Sequence, residues 1–562
     1  MRLPWQSLPT AASTFGDSLV SRTVTAASTG GRACSLDSVS TTPRDGNRCD
    51  SLCLVNAAVF TGDRGQPQAQ AVAIDGSRIT AVGTEAEARA ASGPGAKVID
   101  CGGGTVTPGF IDAHVHLLAL ARSLSCVDLS PGRVDSIGTL CAAVRAAANT
   151  SPAGTWIRGH GYDEFYLRER RHPTRRDLDE SVPEHPVRLR HRTRHASVLN
   201  SAALRYLSGT APGLLRAPGV ERDPVSGEVT GVVYDLDAAL SLLLPKPEPR
   251  EVRAGLARAS DLLLAAGVTA VDDASPNTGA EEVRLVHEAM EERLVHQRVR
   301  CLWGMESHGF PDDASITAVK LTLSEDGSTA AHFSRALMAA HRHGLQVAVH
   351  AVEGPAIAVA VAAFEAALGR WPRSHRHRLE HCALCPPPLA DRIAKLGLTV
   401  VAQPGFLHRA GDRYLAEVPA SEQTWLYPLR SLFARGVPLA GSSDVPIGPV
   451  APLVGVAAAV GRRTASGRLV NPQEAVPLDL ALHLYGRGAA YATGADPTRG
   501  YVAKGLAADL AVFRENLSRV PVERLGETSV SLMVVDGELV SPADVSRRQH
   551  RGAVHVAHEG QR

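Results

Sequence analysis

The sequence predicts an α/β protein: a (β/α)8 barrel of the TIM type with a small composite β-sandwich built from both chain ends. Three observations predict it. Between residues 105 and 493, short apolar runs alternate with Ala/Leu/Arg-rich stretches at helical period. Toward both ends the texture changes to short strands broken by Gly and Asp. Histidines, a lysine and an aspartate gather at the C-terminal ends of the apolar runs, where a parallel barrel carries its active site.

The elements follow in chain order. Residues 1–50 are rich in Ser, Thr, Arg and Gly without an apolar core, which predicts a disordered tail and no secretory signal. Residues 51–104 hold "LCLVNAAVFTGD", "QAVAIDGSRITAVG" and "AKVIDCGGGTVTPG", read as strands and turns. Residues 494–542 repeat that texture in "KGLAADLAVFRE" and "SVSLMVVDGELV", where Asp536-Gly537 is a hairpin turn. Together these two segments form the sandwich, and 543–562 form a second tail.

Eight strands are expected in between: "TVTPGFI" at 105, "VTAVDD" at 268, "RVRCLWG" at 298, "TAVKLTL" at 317, "LQVAVH" at 345, "HRLEH" at 377, "LTVVAQ" at 398 and "VPLAGSSD" at 437. Helical patterns such as Glu251–Ala266 and Glu282–Val295 lie between several of them. The gap after the first strand is too long for a bare loop. An insertion at about 118–250 over the barrel mouth is expected there.

Composition narrows the function. Across 562 residues, 59 basic side chains face 58 acidic ones, giving +1, so neither nucleic acid nor an anionic membrane is an expected partner. No apolar run reaches the ~20 residues of a membrane helix. The nine cysteines are odd in number and mostly irregular in spacing, which predicts reduced thiols and a cytoplasmic protein. Cys382 and Cys385 have CxxC spacing without a second pair, and are expected as small buried residues.

The strand ends carry the chemistry. His114 and His116 end the first strand, Lys320 the fourth, His350 the fifth, His381 the sixth and Asp444 the eighth. Residues two apart on extended chain face one side, so both histidines of the HxH can look inward past Pro108-Gly109. Imidazole and carboxylate suit zinc and similar divalent ions. Lys320 can join such a cluster only as a free amine or a carbamate, whose two oxygens would bridge two metals. Each residue alone has an ordinary alternative: a core histidine, a solvated lysine, Glu380 pairing with Arg378, or Asp444 in a turn. Their joint placement favours the metal site.

These motifs resemble the amidohydrolase superfamily, in its amidohydrolase-3, or YtcJ-like, branch. "PGFIDAHVH", "HASVLNSAAL", "QVAVHAVEG", "HRLEHC", "AQPGF" and "AGSSDVPIGP" follow the branch in order, over about residues 52–540. The resemblance implies a non-peptide amide hydrolase that uses metal-activated hydroxide, with one or two divalent ions, zinc first. It implies that His114, His116, Lys320, His350, His381 and Asp444 are metal ligands. Asp444 is the expected proton shuttle, and His381 a second catalytic group. His160, Tyr162, Asp163 and His195 of the insertion are candidate substrate contacts. The expected partner is a small-molecule substrate, with a homodimer compatible. Two alternatives stand beside this: a single-metal deaminase of a nitrogen heterocycle, and a barrel kept as a non-enzymatic binding protein.

Overall fold

The computed structural model describes residues 51–540 except 194, 246–247 and 324–329; the tails expected at 1–50 and 543–562 lie outside the described residues. The fold is mixed α/β. Its centre is a set of parallel strands: β1 (Phe110–Val115), β2 (Val268–Asp273), β3 (Arg298–Cys301), β4 (Trp303–Gly304), β5 (Ala318–Thr322), β6 (Gln346–Ala351), β7 (Arg378–His381), β8 (Thr399–Ala402) and β9 (Leu439–Gly441). They form two sheets, ordered β3-β2-β1 and β4-β5-β6-β7-β8-β9.

The sequence counts one strand where β3 and β4 lie. The break is a change of partner: Leu302 N–H still donates to Asp273 O of β2 at 2.8 Å, whereas Trp303 pairs with Val319 of β5. The first run also divides. Thr105–Pro108 pairs antiparallel with Leu510–Phe513, and β1 continues beside β2. Gly109 is the corner between them. A Cβ there would lie 2.4 Å from Thr269 Cγ2, so only glycine allows the approach.

Parallel strands buried on both faces read as unbroken apolar runs. Val347, Ala348 and Val349 of β6 are all buried, as are Val400 and Val401 of β8. The helices between strands begin and end where local chemistry dictates. Helix Pro387–Leu396 opens on proline, whose fixed φ suits the first turn, and ends at Gly397 with φ 65°. Its Leu389, Ala390 and Ile393 face the core.

The two chain ends meet. A six-stranded sheet combines Ala58–Phe60, Gln68–Ala69 and Thr105–Pro108 with Leu510–Phe513, Val530–Val535 and Glu538–Val540. A four-stranded sheet comes from Ser51–Val55, Ala71–Asp75, Arg78–Gly83 and Lys97–Asp100. Leu52, Val72, Val106, Leu510 and Val534 share one apolar cluster. Asp536 and Gly537 form the hairpin turn with φ of 53° and 80°.

The segment between β1 and β2 has its own six-stranded sheet, from Val127–Asp128 to Val229–Tyr234, and its own cluster around Leu140, Val144, Leu189 and Val198. Helix Leu117–Ser123 lies within the range read as insertion, but its leucines pack into the central core with Leu256 and Leu263 of helix Pro249–Ala265. The described cysteines are free thiols, and Cys382 and Cys385 are buried. No described helix is long and apolar enough to cross a membrane.

Candidate metal centre

β1 delivers His114 from within the strand and His116 just past its end. The chain after β9 runs alongside them. Asp444 N–H donates to His114 O at 2.9 Å, and His116 N–H donates to Val445 O at 2.9 Å. Asp112 Oδ1 accepts from Ser443 N–H at 2.9 Å and ties the same two strand ends together. Asp444 is thereby set beside both histidines.

Its Oδ1 lies 3.1 Å from His116 Nε2 and 3.6 Å from His114 Nε2. The ligand atoms of His114, His116 and Asp444 all fall within 4.8 Å of one another. His381, at the end of β7, has its ring centroid 5.0 Å from His114 and 4.6 Å from His350 of β6. Lys320 of β5 is 3% exposed, and its ammonium depresses the imidazoles of His114, His350 and His381. The six strand-end residues thus gather at one end of the parallel strands.

The protonation states follow from burial. Burial and then the Lys320 charge push His114 down to about 3. Burial and then His381 hold His350 well below the ordinary imidazole range. Burial lowers His381 too. These rings are neutral, the form that ligates metals. Burial opposes ionisation of Asp444, but the imidazoles around it more than offset this and keep it a carboxylate.

Three of the rings are oriented from behind. His114 Nδ1 meets Glu380 Oε2 at 2.5 Å, His116 Nδ1 meets Ser275 Oγ at 3.1 Å, and His381 Nδ1 meets Gln403 Oε1 at 2.8 Å. Each contact leaves Nε2 for the site, as supporting hydrogen bonds do around metal-binding histidines. Glu380 is held in turn by Arg378, through Nε at 2.7 Å and Nη2 at 2.9 Å. Arg378 also donates to Asp272 Oδ2 at 2.6 Å and to Ala113 O at 2.7 Å. The Arg378–Glu380 pairing read as an alternative to chemistry at His381 therefore exists, and it bears on His114.

The residues present fit a divalent cation. Asp444 Oδ1 is buried and completes no hydrogen bond, although two Nε2 atoms crowd it. Imidazole nitrogens and a carboxylate oxygen converging at this spacing are the donor set of a borderline metal.

The four insertion candidates are placed differently from one another. His160 is half-buried, on strand Ile157–Tyr162, within the field of Arg409. Tyr162 is buried, its hydroxyl 3.0 Å from His172 Nδ1. Asp163 is buried between Arg192, at 2.6 Å, and Arg413, at 3.0 Å. The His195 side chain is 60% exposed and pairs with Asp235 at 2.8 Å. Sequence reasoning did not single out Asp272, Ser275 or Gln403. Their only signal was position, at or just beyond the ends of expected strands.

The amidohydrolase family profile matches residues 97–541. An N-substituted formamide deformylase from Arthrobacter pascens is 32% identical over 87% of this chain and 98% of its own. The protein YtcJ of Bacillus subtilis (strain 168) is 26% identical over 80% of this chain and 91% of its own. Among solved structures, an uncharacterized metal-dependent hydrolase from Pyrococcus furiosus is 27% identical, with a TM-score of 0.62 over 82% of this chain and 98% of that one. The chain belongs to the amidohydrolase family. It is a metal-dependent hydrolase of carbon–nitrogen bonds other than peptide bonds.

Proposed function

We propose that this enzyme hydrolyses a small non-peptide amide, with N-substituted formamides the first class to test. The observation that carries the reading is the crowding of His114 and His116 Nε2 around the unbonded Asp444 Oδ1. The relative named as a formamide deformylase directs the choice of substrate class. The two parallel sheets are inferred to be arcs of one (β/α)8 barrel, since β3 runs directly into β4 and the chain after β9 lies against the end of β1. The two sheets from the chain ends, about 51–104 and 494–542, are inferred to form a composite β-sandwich beside it, with the barrel over 105–493.

In this reading His114, His116, Lys320, His350, His381 and Asp444 hold one or two divalent ions, zinc first. An ion held there would polarise an amide carbonyl and lower the pKa of a nearby water. The side chains do the rest. Asp444 Oδ1 takes a proton from the attacking water and returns it to the departing nitrogen, so acid and base are one carboxylate. His381, fixed by Gln403, faces the carbonyl. Glu380 and Ser275 keep the two β1 histidines aimed. Lys320 would join the ligands as a carbamate: its ammonium gives up one proton to become an amine, and the amine bonds carbon dioxide with release of a second proton. His160 contacts substrate, while Tyr162 and Asp163 brace the strand behind it. His195 lies outermost of the four. The enzyme works in the cytoplasm.

Elemental analysis of the purified protein, with a screen of N-substituted formamides, other N-acyl compounds, cyclic amides and esters, tests this. Bound divalent metal, and formate with amine released in equal amounts, are expected. A metal-replete, folded enzyme that turns over no amide would overturn the proposal.

A further inference from the structure

Behind His114 the buried charges form a continuous ladder that leads away from the candidate metal centre. Glu380 of β7 divides its carboxylate. Oε1 accepts from Arg378 Nε at 2.7 Å, while Oε2 accepts both from Arg378 Nη2 at 2.9 Å and from His114 Nδ1 at 2.5 Å. Arg378 then reaches β2, where its Nη1 donates to Asp272 Oδ2 at 2.6 Å. Arg300 of β3 grips the same carboxylate, through Nε to Oδ1 at 3.0 Å and Nη2 to Oδ2 at 2.5 Å. The side chains of Asp272, Arg378 and Glu380 are at most 1% exposed, and that of Arg300 is 27% exposed.

The signs alternate, positive at Arg300 and Arg378, negative at Asp272 and Glu380, so the charges cancel along the ladder. Alternation also couples them, because bonds in a chain polarise one another where the dielectric is low. An ionised carboxylate only accepts, so His114 Nδ1 carries the proton it shares with Glu380. The far nitrogen, Nε2, is then the one that faces Asp444 Oδ1, at 3.6 Å. The more heavily Arg378 draws on Glu380, the weaker an acceptor Glu380 is for His114. A weaker acceptor behind an imidazole makes its far nitrogen a poorer electron-pair donor to a metal.

Resting on the metal-centre reading above, we infer that Asp272 and Arg300 are positioning residues that tune, from β2 and β3, how strongly His114 binds a divalent cation. The two act in opposite senses. Asp272 takes up part of the Arg378 charge and leaves Glu380 freer for His114. Arg300 competes for Asp272 and works against it. The ladder starts at His114 in the sheet of β1, β2 and β3, passes through β7 of the other sheet and returns, so the tuning depends on both sheets.

The test is zinc affinity, measured by competition with a chelator on the full-length protein, for wild type, Asp272→Asn, Arg300→Gln and Arg298→Gln. Arg298 lies on the same strand but pairs with Asp536 at 3.1 Å, so its replacement removes the same charge without touching the ladder. Asp272→Asn should lower the affinity ~10-fold, the lower end of the range for a direct partner of a ligand, and Arg300→Gln, one link further, should raise it about threefold. Arg298→Gln should leave it unchanged. A ladder that only held the fold would lower the affinity in both ladder variants. In the metal-free protein, the NMR resonance of the imidazole proton between His114 and Glu380 should move upfield in Asp272→Asn and downfield in Arg300→Gln. Circular dichroism reports whether each variant is folded. If Asp272→Asn does not fold, Arg300→Gln, with Arg300→Lys returning the affinity toward wild type, decides the matter. Changes of the same sign in the two ladder variants, or an unmoved resonance in folded Arg300→Gln, would overturn the inference. A wild type that binds no zinc would instead end the metal-centre reading, and the proton resonance would still decide the ladder.

Discussion

Replacing Glu380 by glutamine tests whether the buried charge chain behind the site acts on metal binding. Glu380 accepts from Arg378 Nε and Nη2 and meets His114 Nδ1 at 2.5 Å. An amide nitrogen cannot accept, so in Glu380→Gln either Arg378 Nε loses its partner or His114 Nδ1 and Arg378 Nη2, which share Oε2, both do. Arg378 is 0% exposed and would keep only Asp272, at 2.6 Å, as a full counter-charge. Breaking a buried pair costs about 3–5 kcal/mol; with Asp272 retained, about 3 kcal/mol is expected. The second effect is on orientation. Freed from its carboxylate, His114 can adopt the other tautomer or rotate, and loss of such a partner costs ~10–100-fold in metal affinity. Two measurements separate the effects: denaturant unfolding of the metal-free protein, and competition with a chelator under conditions where circular dichroism shows the variant folded. A folded Glu380→Gln protein with wild-type metal affinity would show that Glu380 does not aim His114.

Asp444→Asn should slow turnover by the ~10²–10⁴-fold typical of lost acid–base catalysis while metal is largely retained, whereas His116→Ala should lose metal as well as rate; metal content measured beside kcat distinguishes them. Gly109→Ala should lower the denaturant midpoint by ~1–3 kcal/mol of stability, because its Cβ would overlap Thr269, and an unchanged midpoint would mean the corner is looser than its 2.4 Å approach implies. Acid should weaken the contact within the insertion between Glu164 Oε2 and His191 Nε2, 2.9 Å apart. Burial opposes ionisation of Glu164, but the hydrogen bond and charge of His191 outweigh it and lower the carboxyl from 4.5 to about 2. A depressed folded value means the contribution is complete above about 4.5 and lost as pH falls toward about 2. Wild type should therefore lose, on the order of 1–3 kcal/mol, the advantage over Glu164→Gln that it holds at pH 6; a constant difference across that range would contradict the assignment.

Much of this was legible in the chain because parallel strands announce themselves. Buried on both faces, they leave runs such as Val347-Ala-Val349, and the first polar residue after each run marks the strand's end. The location of His350, His381 and Asp444 at one end follows from that rule. What stayed hidden was pairing across distance. Arg378 and Asp272 are 106 positions apart, and His114 and Glu380 are 266 apart. Periodicity carries no such information. The corner at Gly109 was visible as a Pro-Gly pair, but the sheet it leads out of depends on Leu510–Phe513 at the far end of the chain. The break at Leu302 was invisible because a residue that changes partners keeps its apolar character.

The corner at Gly109 also has a consequence for how the enzyme is made. Thr107 pairs with Ala511, 404 positions later, and His114 and His116 ride on the continuation of that strand. On a ribosome adding ~5–20 residues per second, about 20–80 s separate the two partners' synthesis. Throughout that interval the strand leading to the first two candidate ligands has one edge without its eventual neighbour. Loop-closure entropy across so long a chain adds to the delay. Assembly of the site is thus a late event of biosynthesis, and a nascent chain released before Leu510 carries every one of the six strand-end residues without the strand that anchors the first two.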